Sequence, residues 1–386
     1  MNRRTFLRST CLAVAAAGLG VCPLGTARAQ DQAPDGAAPP GAGLSIEDER
    51  FVRPAMFYDR LEGGIVRCRL CPRQCEVAPG GRGACGVRMN RQGEYMTLVY
   101  GRVTALNNDP IEKKPFYHVV PGSMVLSLST AGCNLSCKFC QNWQLSQFRP
   151  EKVEARYIEP QTLVALALKN DIPNLAFTYN EPTVFYEFMH ETARLGHEAG
   201  LRCTVVSNGF TSLEAQRKLV PFLKAYKVDL KAFTDDFYRD YCHGRLKPVL
   251  ETLENLVGLG VWVEIVNLVI PAANDREADV TAMARWIKTH LGPDVPIHFT
   301  RFRPMYKLQN VPPTPVADLE RCCEAAKAEG LRYVYLGNVP GHPGGDTFCP
   351  RCGRLLIQRT GMWAVENHMD AGRCPRCRAA IPGVWS

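Results

Sequence analysis

The sequence predicts an α/β chain: a partial (β/α)6 barrel of the TIM-like type, with a cysteine-rich segment before it and a small cysteine-bearing module after it. Three observations predict this. Between residues 124 and 337 short apolar runs alternate with longer amphipathic stretches, the pattern of parallel strands joined by right-handed helical crossovers. Six such units are present, too few to close an eight-fold barrel. Of the 17 cysteines, 11 fall into three tight clusters, one directly after the first apolar run and one on either side of the barrel region.

The strand-like runs are 124–130 (MVLSLST), 174–179 (NLAFTY), 202–206 (RCTVV), 227–230 (KVDL), 262–270 (WVEIVNLVI) and 296–300 (PIHFT), and 332–336 (RYVYL) closes the series. Helix-like stretches separate them at about 160–170, 182–199, 212–225, 247–259, 276–291 and 315–329. The chain therefore divides into a leader at 1–29, a linker at 30–45, a cysteine-rich segment at 46–120, the barrel at 121–340 and a terminal module at 341–386.

The leader carries Asn2-Arg3-Arg4-Thr5-Phe6-Leu7-Arg8, a twin-arginine pattern, then an Ala/Gly stretch and the A-x-A site Ala27-Arg28-Ala29. The expectation is export to the periplasm by the twin-arginine route; a cytoplasmic or leader-tethered chain is the alternative. Residues 30–45, rich in Ala, Pro, Gly and Asp, read as a flexible linker. Half of the net charge of +8 lies in Arg3, Arg4, Arg8 and Arg28. No basic stripe interleaved with aromatics remains, which argues against a nucleic-acid partner. Beyond the leader no apolar run is long enough to span a bilayer.

Cys133, Cys137 and Cys140 form C-x3-C-x2-C immediately after the first strand. Three thiolates on one loop can hold three irons of a [4Fe–4S] cluster and leave the fourth iron open. An open iron can chelate the amino and carboxylate groups of S-adenosylmethionine (SAM). An electron from the reduced cluster then breaks the sulfur–C5′ bond, giving methionine and a 5′-deoxyadenosyl radical. A fourth cysteine would close the site and suit electron transfer only. The competing reading is a zinc knuckle completed by a distant His or Cys.

Polar residues fall at the carboxyl ends of the following strands, where barrel chemistry collects. Asn180-Glu181-Pro182 follows the second strand and Ser207-Asn208-Gly209 the third; Asp229 and Lys231 flank the end of the fourth. Asn267 lies late in the fifth, and Arg301 and Arg303 follow the sixth. Each alone could be a cap or a turn. Together they describe one polar mouth beside the cysteine loop.

The flanking cysteines read as metal sites. Cys68, Cys71, Cys75 and Cys85 form C-x2-C-x3-C-x9-C, which suits an auxiliary iron–sulfur cluster or a structural zinc equally well. Cys349, Cys352, Cys374 and Cys377 have the C-x2-C-x21-C-x2-C spacing of a zinc ribbon, and a rubredoxin-like iron shares that geometry. A module of about 35 residues cannot bury enough surface to fold without its metal. Cys11, Cys22, Cys203, Cys242, Cys322 and Cys323 are scattered and read as small hydrophobes or leader residues.

These residues carry a family resemblance. The C-x3-C-x-Φ-C loop resembles that of the radical SAM superfamily, and the stations at Asn180-Glu181-Pro182, Ser207-Asn208-Gly209 and Asp229-Leu230-Lys231 resemble those of glycyl-radical-enzyme (pyruvate formate-lyase) activating enzymes. The stretches 109–118 (DPIEKKPFYH), 131–143 (AGCNLSCKFCQNW) and 333–341 (YVYLGNVPG) resemble the radical SAM member of the AmmeMemoRadiSam system, a likeness covering about residues 56 to 386. The resemblance implies a barrel of the radical SAM type. It implies that Glu181, with Asn180 beside it, meets the SAM ammonium, that Ser207, Asn208 and Lys231 lie near the ribose or carboxylate, and that Asp229 lies near Lys231. The chain departs from the family where Tyr179-Asn180 stand in place of two glycines. It also places its extra cysteines before the SAM loop, whereas typical activating enzymes carry theirs after it.

The sequence thus reads as an enzyme that generates a deoxyadenosyl radical and abstracts hydrogen from a substrate, another protein being one candidate. Its partners would be SAM and a low-potential electron donor. A glycyl-radical activase is the second reading. An iron–sulfur electron carrier or redox sensor without SAM chemistry is the alternative from a different class, and a three-cysteine site with an open iron separates the two.

Overall fold

A computed structural model describes residues 48–386; the leader read at 1–29 and the linker read at 30–45 lie outside the described residues. An eight-stranded sheet carries the fold. Its edge strand β1 (Ala105–Pro110) runs antiparallel to β2 (Met124–Ser129). From β2 onward every neighbour is parallel: β3 (Asn174–Phe177), β4 (Arg202–Ser207), β5 (Leu223–Asp229), β6 (Trp262–Val269), β7 (Ile297–Arg301) and β8 (Val334–Gly337) follow in chain order. The sheet order is linear, with β1 and β8 as its edges.

From β2 onward, helices α1 (Pro160–Lys169), α2 (Tyr186–Glu198), α3 (Leu213–Leu219), α4 (Lys247–Gly258), α5 (Glu277–His290) and α6 (Val316–Ala328) return the chain from each strand to the next. Every strand and helix run read from the sequence has its counterpart. Parallel strands covered by helices are buried on both faces, which is why β3 reads as an unbroken buried run. On α2 the residues Phe188, Met189, Thr192, Ala193 and Gly196 are buried at helical spacing. A β-carbon on Gly196 would meet Leu175 at 2.9 Å and Cys203 Sγ at 3.0 Å, so glycine lets the helix lie close to β3 and β4.

Two boundaries differ from the sequence reading. The helix expected over 182–199 opens with a separate 3-10 turn, Pro182–Phe185, because the Glu181 side chain caps Thr183 N and Pro182 starts the turn. The helix expected over 212–225 stops at Leu219, since Pro221 has no amide to continue it, and β5 starts at Leu223, four residues early.

The segment before the eight-stranded sheet forms two small antiparallel sheets, Arg53–Pro54 with Glu94–Thr97 and Arg88–Arg91, and Tyr58–Arg60 with Val66–Cys68 and Glu76–Val77. It ends sooner than the 46–120 reading has it, because residues 105–110 are already β1. At the carboxyl end β9 (Thr347–Phe348), β10 (Leu355–Thr360) and β11 (Trp363–Asn367) form a three-stranded antiparallel sheet. Leu356 and Ile357 of this sheet, with Ile381 beyond it, share a core with Tyr117, Tyr333 and Tyr335 of the α/β domain. Arg359 of β10 is buried there; it donates to the Tyr117 carbonyl at 2.8 Å and lies 4.0 Å over the Tyr117 ring. No helix among the described residues is long and apolar enough to cross a membrane.

Candidate functional site

The loop after β2 is held from four directions. Gly132 N donates to Leu145 O at 2.9 Å, and Asn134 Nδ2 donates to Phe210 O at 2.6 Å. Ser136 N and Lys138 N donate to the carbonyls of Cys242 and Tyr241, at 3.1 and 2.9 Å. Arg73, from the cysteine-rich segment, donates to the Asn134 carbonyl. This fixes a loop that carries three thiols close enough to act on one another electrostatically. Burial raises the Cys133 and Cys140 thiols, and neighbouring thiols raise them further. Cys137 is held below its ordinary value, first by a hydrogen bond from the buried Cys242 thiol. Cys242, read from sequence as a small hydrophobe, is therefore also a neighbour of the loop.

The strand-end residues converge on this loop. Glu181 is buried, and its Oε1 accepts from Thr183 N (3.0 Å) and Ser207 Oγ (2.8 Å) while Oε2 accepts from Asn208 N (2.8 Å). Asn208 Nδ2 donates to Asn134 Oδ1 at 2.9 Å and lies 3.7 Å from Cys133 Sγ. Ser207 and Asn208 thus link Glu181 to the cysteine loop. Asn180 Nδ2 donates to the Gly132 carbonyl at 2.9 Å, whereas its Oδ1 is buried with no partner among the described residues. A buried acceptor left open costs about 1–3 kcal/mol unless a ligand fills it. The unsatisfied group beside Glu181 is therefore one that an ammonium fits. Burial raises the Glu181 carboxyl despite its hydrogen bonds.

Asp229 accepts from Lys227 Nζ at 2.5 Å and from Lys231 Nζ at 3.4 Å. Burial works against the Asp229 charge, but the two lysines hold its carboxyl below the ordinary value. Lys231 Nζ also lies 5.7 Å from the ring centre of Phe139, inside the cysteine loop. Asn267 Nδ2 is spent on Leu230 O, and Arg301 Nε on Thr314 O. Arg303 is exposed. Asn267 Oδ1 is buried with no partner among the described residues, so of the three only Arg301 and Arg303 belong to the scaffold or the rim.

Sequence reading missed a triad beneath the mouth. Tyr179 has φ +70°, the left-handed region glycine favours, so it keeps the backbone turn that two glycines would make. Its hydroxyl donates to Asp109 Oδ2 at 2.5 Å, and Lys114 Nζ lies 4.3 Å over its ring while donating to the same carboxylate. Burial lowers Lys114 to about 8, against the pull of Asp109. Asp109 and Lys114 both lie in the DPIEKKPFYH stretch, but nothing in that stretch points to Tyr179.

The two flanking sets differ in geometry. In the carboxyl module Cys349 Sγ and Cys377 Sγ are 3.6 Å apart, and Cys352 Sγ and Cys374 Sγ 3.7 Å apart. Metal–sulfur bonds of about 2.3 Å in a tetrahedron put sulfurs roughly 3.8 Å apart, so this set fits a single zinc or iron ion. Burial opposes the Cys374 thiolate, but N–H groups of Cys377 and Arg376 draw that thiol down to about 6. Cys68, Cys71, Cys75 and Cys85 instead line one small cavity with the fully buried Arg88. Burial pushes Cys71 up to about 12 and Cys85 up to about 11. Next to it an open cavity of about 760 Å³ is lined by Cys85, Cys133, Arg73, Arg82 and Arg149.

Residues 127–284 match the family model described as the Radical SAM superfamily. The chain is 44% identical over 332 residues to an uncharacterized protein of Methanocaldococcus jannaschii, spanning 86% of this chain and 99% of that one. It is 25% identical over 214 residues to the benzylsuccinate synthase activating enzyme of Thauera aromatica, spanning 52% of this chain and 61% of that one. Over 167 residues it is 23% identical to the pyruvate formate-lyase-activating enzyme of Streptococcus mutans, spanning 41% and 64%.

Proposed function

The chain belongs to the radical SAM superfamily, and from that premise we propose that it is a SAM-cleaving enzyme that removes a hydrogen atom from its substrate. The observation that carries this is the convergence of the Cys133–Cys140 loop with Asn180, Glu181, Ser207 and Asn208 in one hydrogen-bonded mouth at the carboxyl ends of β2, β3 and β4. We read the open parallel sheet as the partial barrel of that family.

Cys133, Cys137 and Cys140 would hold a [4Fe–4S] cluster. Bound there, such a cluster would supply the single electron whose transfer to SAM cleaves the S–C5′ bond. Asn180 Oδ1 would accept from the SAM ammonium, and Glu181 would hold Asn208 and Ser207 in register beside it. Lys231, paired with Asp229, would offer a cation to the SAM carboxylate.

A protein substrate is the reading that the likeness to two activating enzymes supports, with glycyl-radical activation as its specific form. A low-potential donor would provide the electron. The leader read at 1–29 supports export by the twin-arginine route. The test is electron paramagnetic resonance of the reduced, reconstituted protein. SAM should shift the cluster signal, and a signal indifferent to SAM would favour an electron carrier.

A further inference from the structure

The four cysteines before the barrel stand apart from the mouth just described, and the structure gives them a shape of their own. All four line a cavity of about 20 Å³, which exceeds the ~10–15 Å³ that a water needs. A mononuclear tetrahedral site has no such space, because its sulfurs close to about 3.8 Å around the ion. Among the described residues only the carboxyl-terminal set brings three or more such ligand atoms within 4.8 Å of one another. Four thiols spread around a void fit a polynuclear core, in which each sulfur binds its own iron.

The wall of the cavity agrees. Arg88 is 1% exposed and paired with Glu187, yet its Nε has no partner among the described residues. An unsatisfied guanidinium N–H beside four thiolates suits an anionic cluster whose sulfides accept hydrogen bonds. The position agrees as well. Asn134, next to Cys133 in the chain, lines this cavity and also the open one beside it, as does Cys85. Gly132 packs on the Cys85 carbonyl so closely that a β-carbon would lie 2.8 Å from it. The two cysteine loops touch backbone to backbone.

We infer that Cys68, Cys71, Cys75 and Cys85 hold a second iron–sulfur cluster, closed by four thiolates, that exchanges electrons with the centre at Cys133, Cys137 and Cys140. The ligand assignment stands on the cavity alone; its role rests on the SAM-cleaving reading. One electron leaves a low-potential donor and reduces the second cluster. That cluster is then reoxidised as the first is reduced, and each cleaved SAM consumes one electron.

The assignment is tested in the triple variant Cys133→Ala, Cys137→Ala, Cys140→Ala, purified without oxygen. It should retain iron and inorganic sulfide, about four of each per chain beyond the single ion of the carboxyl module. Its reduced signal should not respond to SAM. A second equivalent of zinc beyond that of the carboxyl module, or no inorganic sulfide, overturns the assignment. Should that variant not fold, Mössbauer spectra of the intact protein decide between two iron–sulfur clusters and one.

The exchange is tested by reducing the intact protein, removing the reductant and adding SAM. A second equivalent of methionine should appear, and the Cys71→Ser, Cys75→Ser variant should stop at one. Equal yields overturn the exchange. A triple variant that keeps its cluster while the intact protein cleaves no SAM would fault the SAM-cleaving reading and leave the second cluster standing.

Discussion

Gly132, at φ +91°, lies so close to Cys85 that a β-carbon would stand 2.8 Å from the Cys85 carbonyl oxygen and 2.5 Å from a Val87 methyl. A left-handed backbone and a backbone neighbour both demand glycine here. Gly132→Ala should therefore cost about 1–3 kcal/mol, and the loop that carries Cys133 should bind less iron. Denaturation midpoints and iron content check this. An unchanged midpoint with full iron would show that the loops can part.

Asn180 and Glu181 should separate cleanly. Asn180 has the open acceptor, so Asn180→Ala should weaken SAM binding about tenfold, or ~1.4 kcal/mol, with cluster absorbance unchanged. Glu181 already accepts from three donors. Glu181→Gln sets an amide N–H against one of them and should cost about 1–3 kcal/mol of stability. Calorimetric SAM titration and thermal melts distinguish the two. Affinity lost only in Glu181→Gln would return the ammonium to Glu181, where the family resemblance puts it.

His118 makes the junction of the eight-stranded sheet and the carboxyl module sensitive to pH. It is fully buried, with Nδ1 2.6 Å from the Pro382 carbonyl and Nε2 2.6 Å from the Tyr335 hydroxyl. Burial lowers the imidazole to about 4, against the pull of Glu264 and with Arg359 and His298 nearby. The folded chain keeps it neutral while the unfolded chain protonates it below about 6.5. The neutral site's stability is therefore complete above pH 6.5 and is lost as pH falls toward 4, by about 3 kcal/mol. His118→Gln should flatten that part of a melting-temperature profile. A wild-type profile already flat from pH 7 to 4 would contradict it.

The fold was legible because strand and helix runs repeat their own periodicity; Leu175, Val205 and Ile265 are as buried as their patterns require. The cysteine loop was legible because its spacing is short-range. Tyr179, Asp109 and Lys114 were not, because their meeting depends on β1 turning back antiparallel on β2, and no local pattern announces that pairing. The expectation that Glu181 faces a ligand did not allow for donors from Ser207 and Asn208, which lie 26 and 27 residues further along the chain. The carboxyl module was legible because its two C-x2-C pairs stand close together in the sequence. The long-range insertion of Arg359 against Tyr117 leaves no mark in the sequence.

That insertion changes what truncation should do. Cys374→Ser should remove one equivalent of zinc or iron and loosen the module. Ending the chain after Val339 would also uncover Tyr117, Tyr333 and Tyr335. The truncated protein should lose stability throughout the α/β domain, measured by denaturant unfolding. A truncated chain as stable as the full one would show the module to be an independent appendage.

In the proposed function Cys133, Cys137 and Cys140 leave one iron open for SAM. The most direct measurement is chromatography of products after SAM is mixed with reduced, anaerobically reconstituted protein. 5′-Deoxyadenosine and methionine should form in equal amounts, and neither should form with Cys137→Ala. Intact SAM with the fully loaded protein, or cleavage that persists in Cys137→Ala, would contradict it.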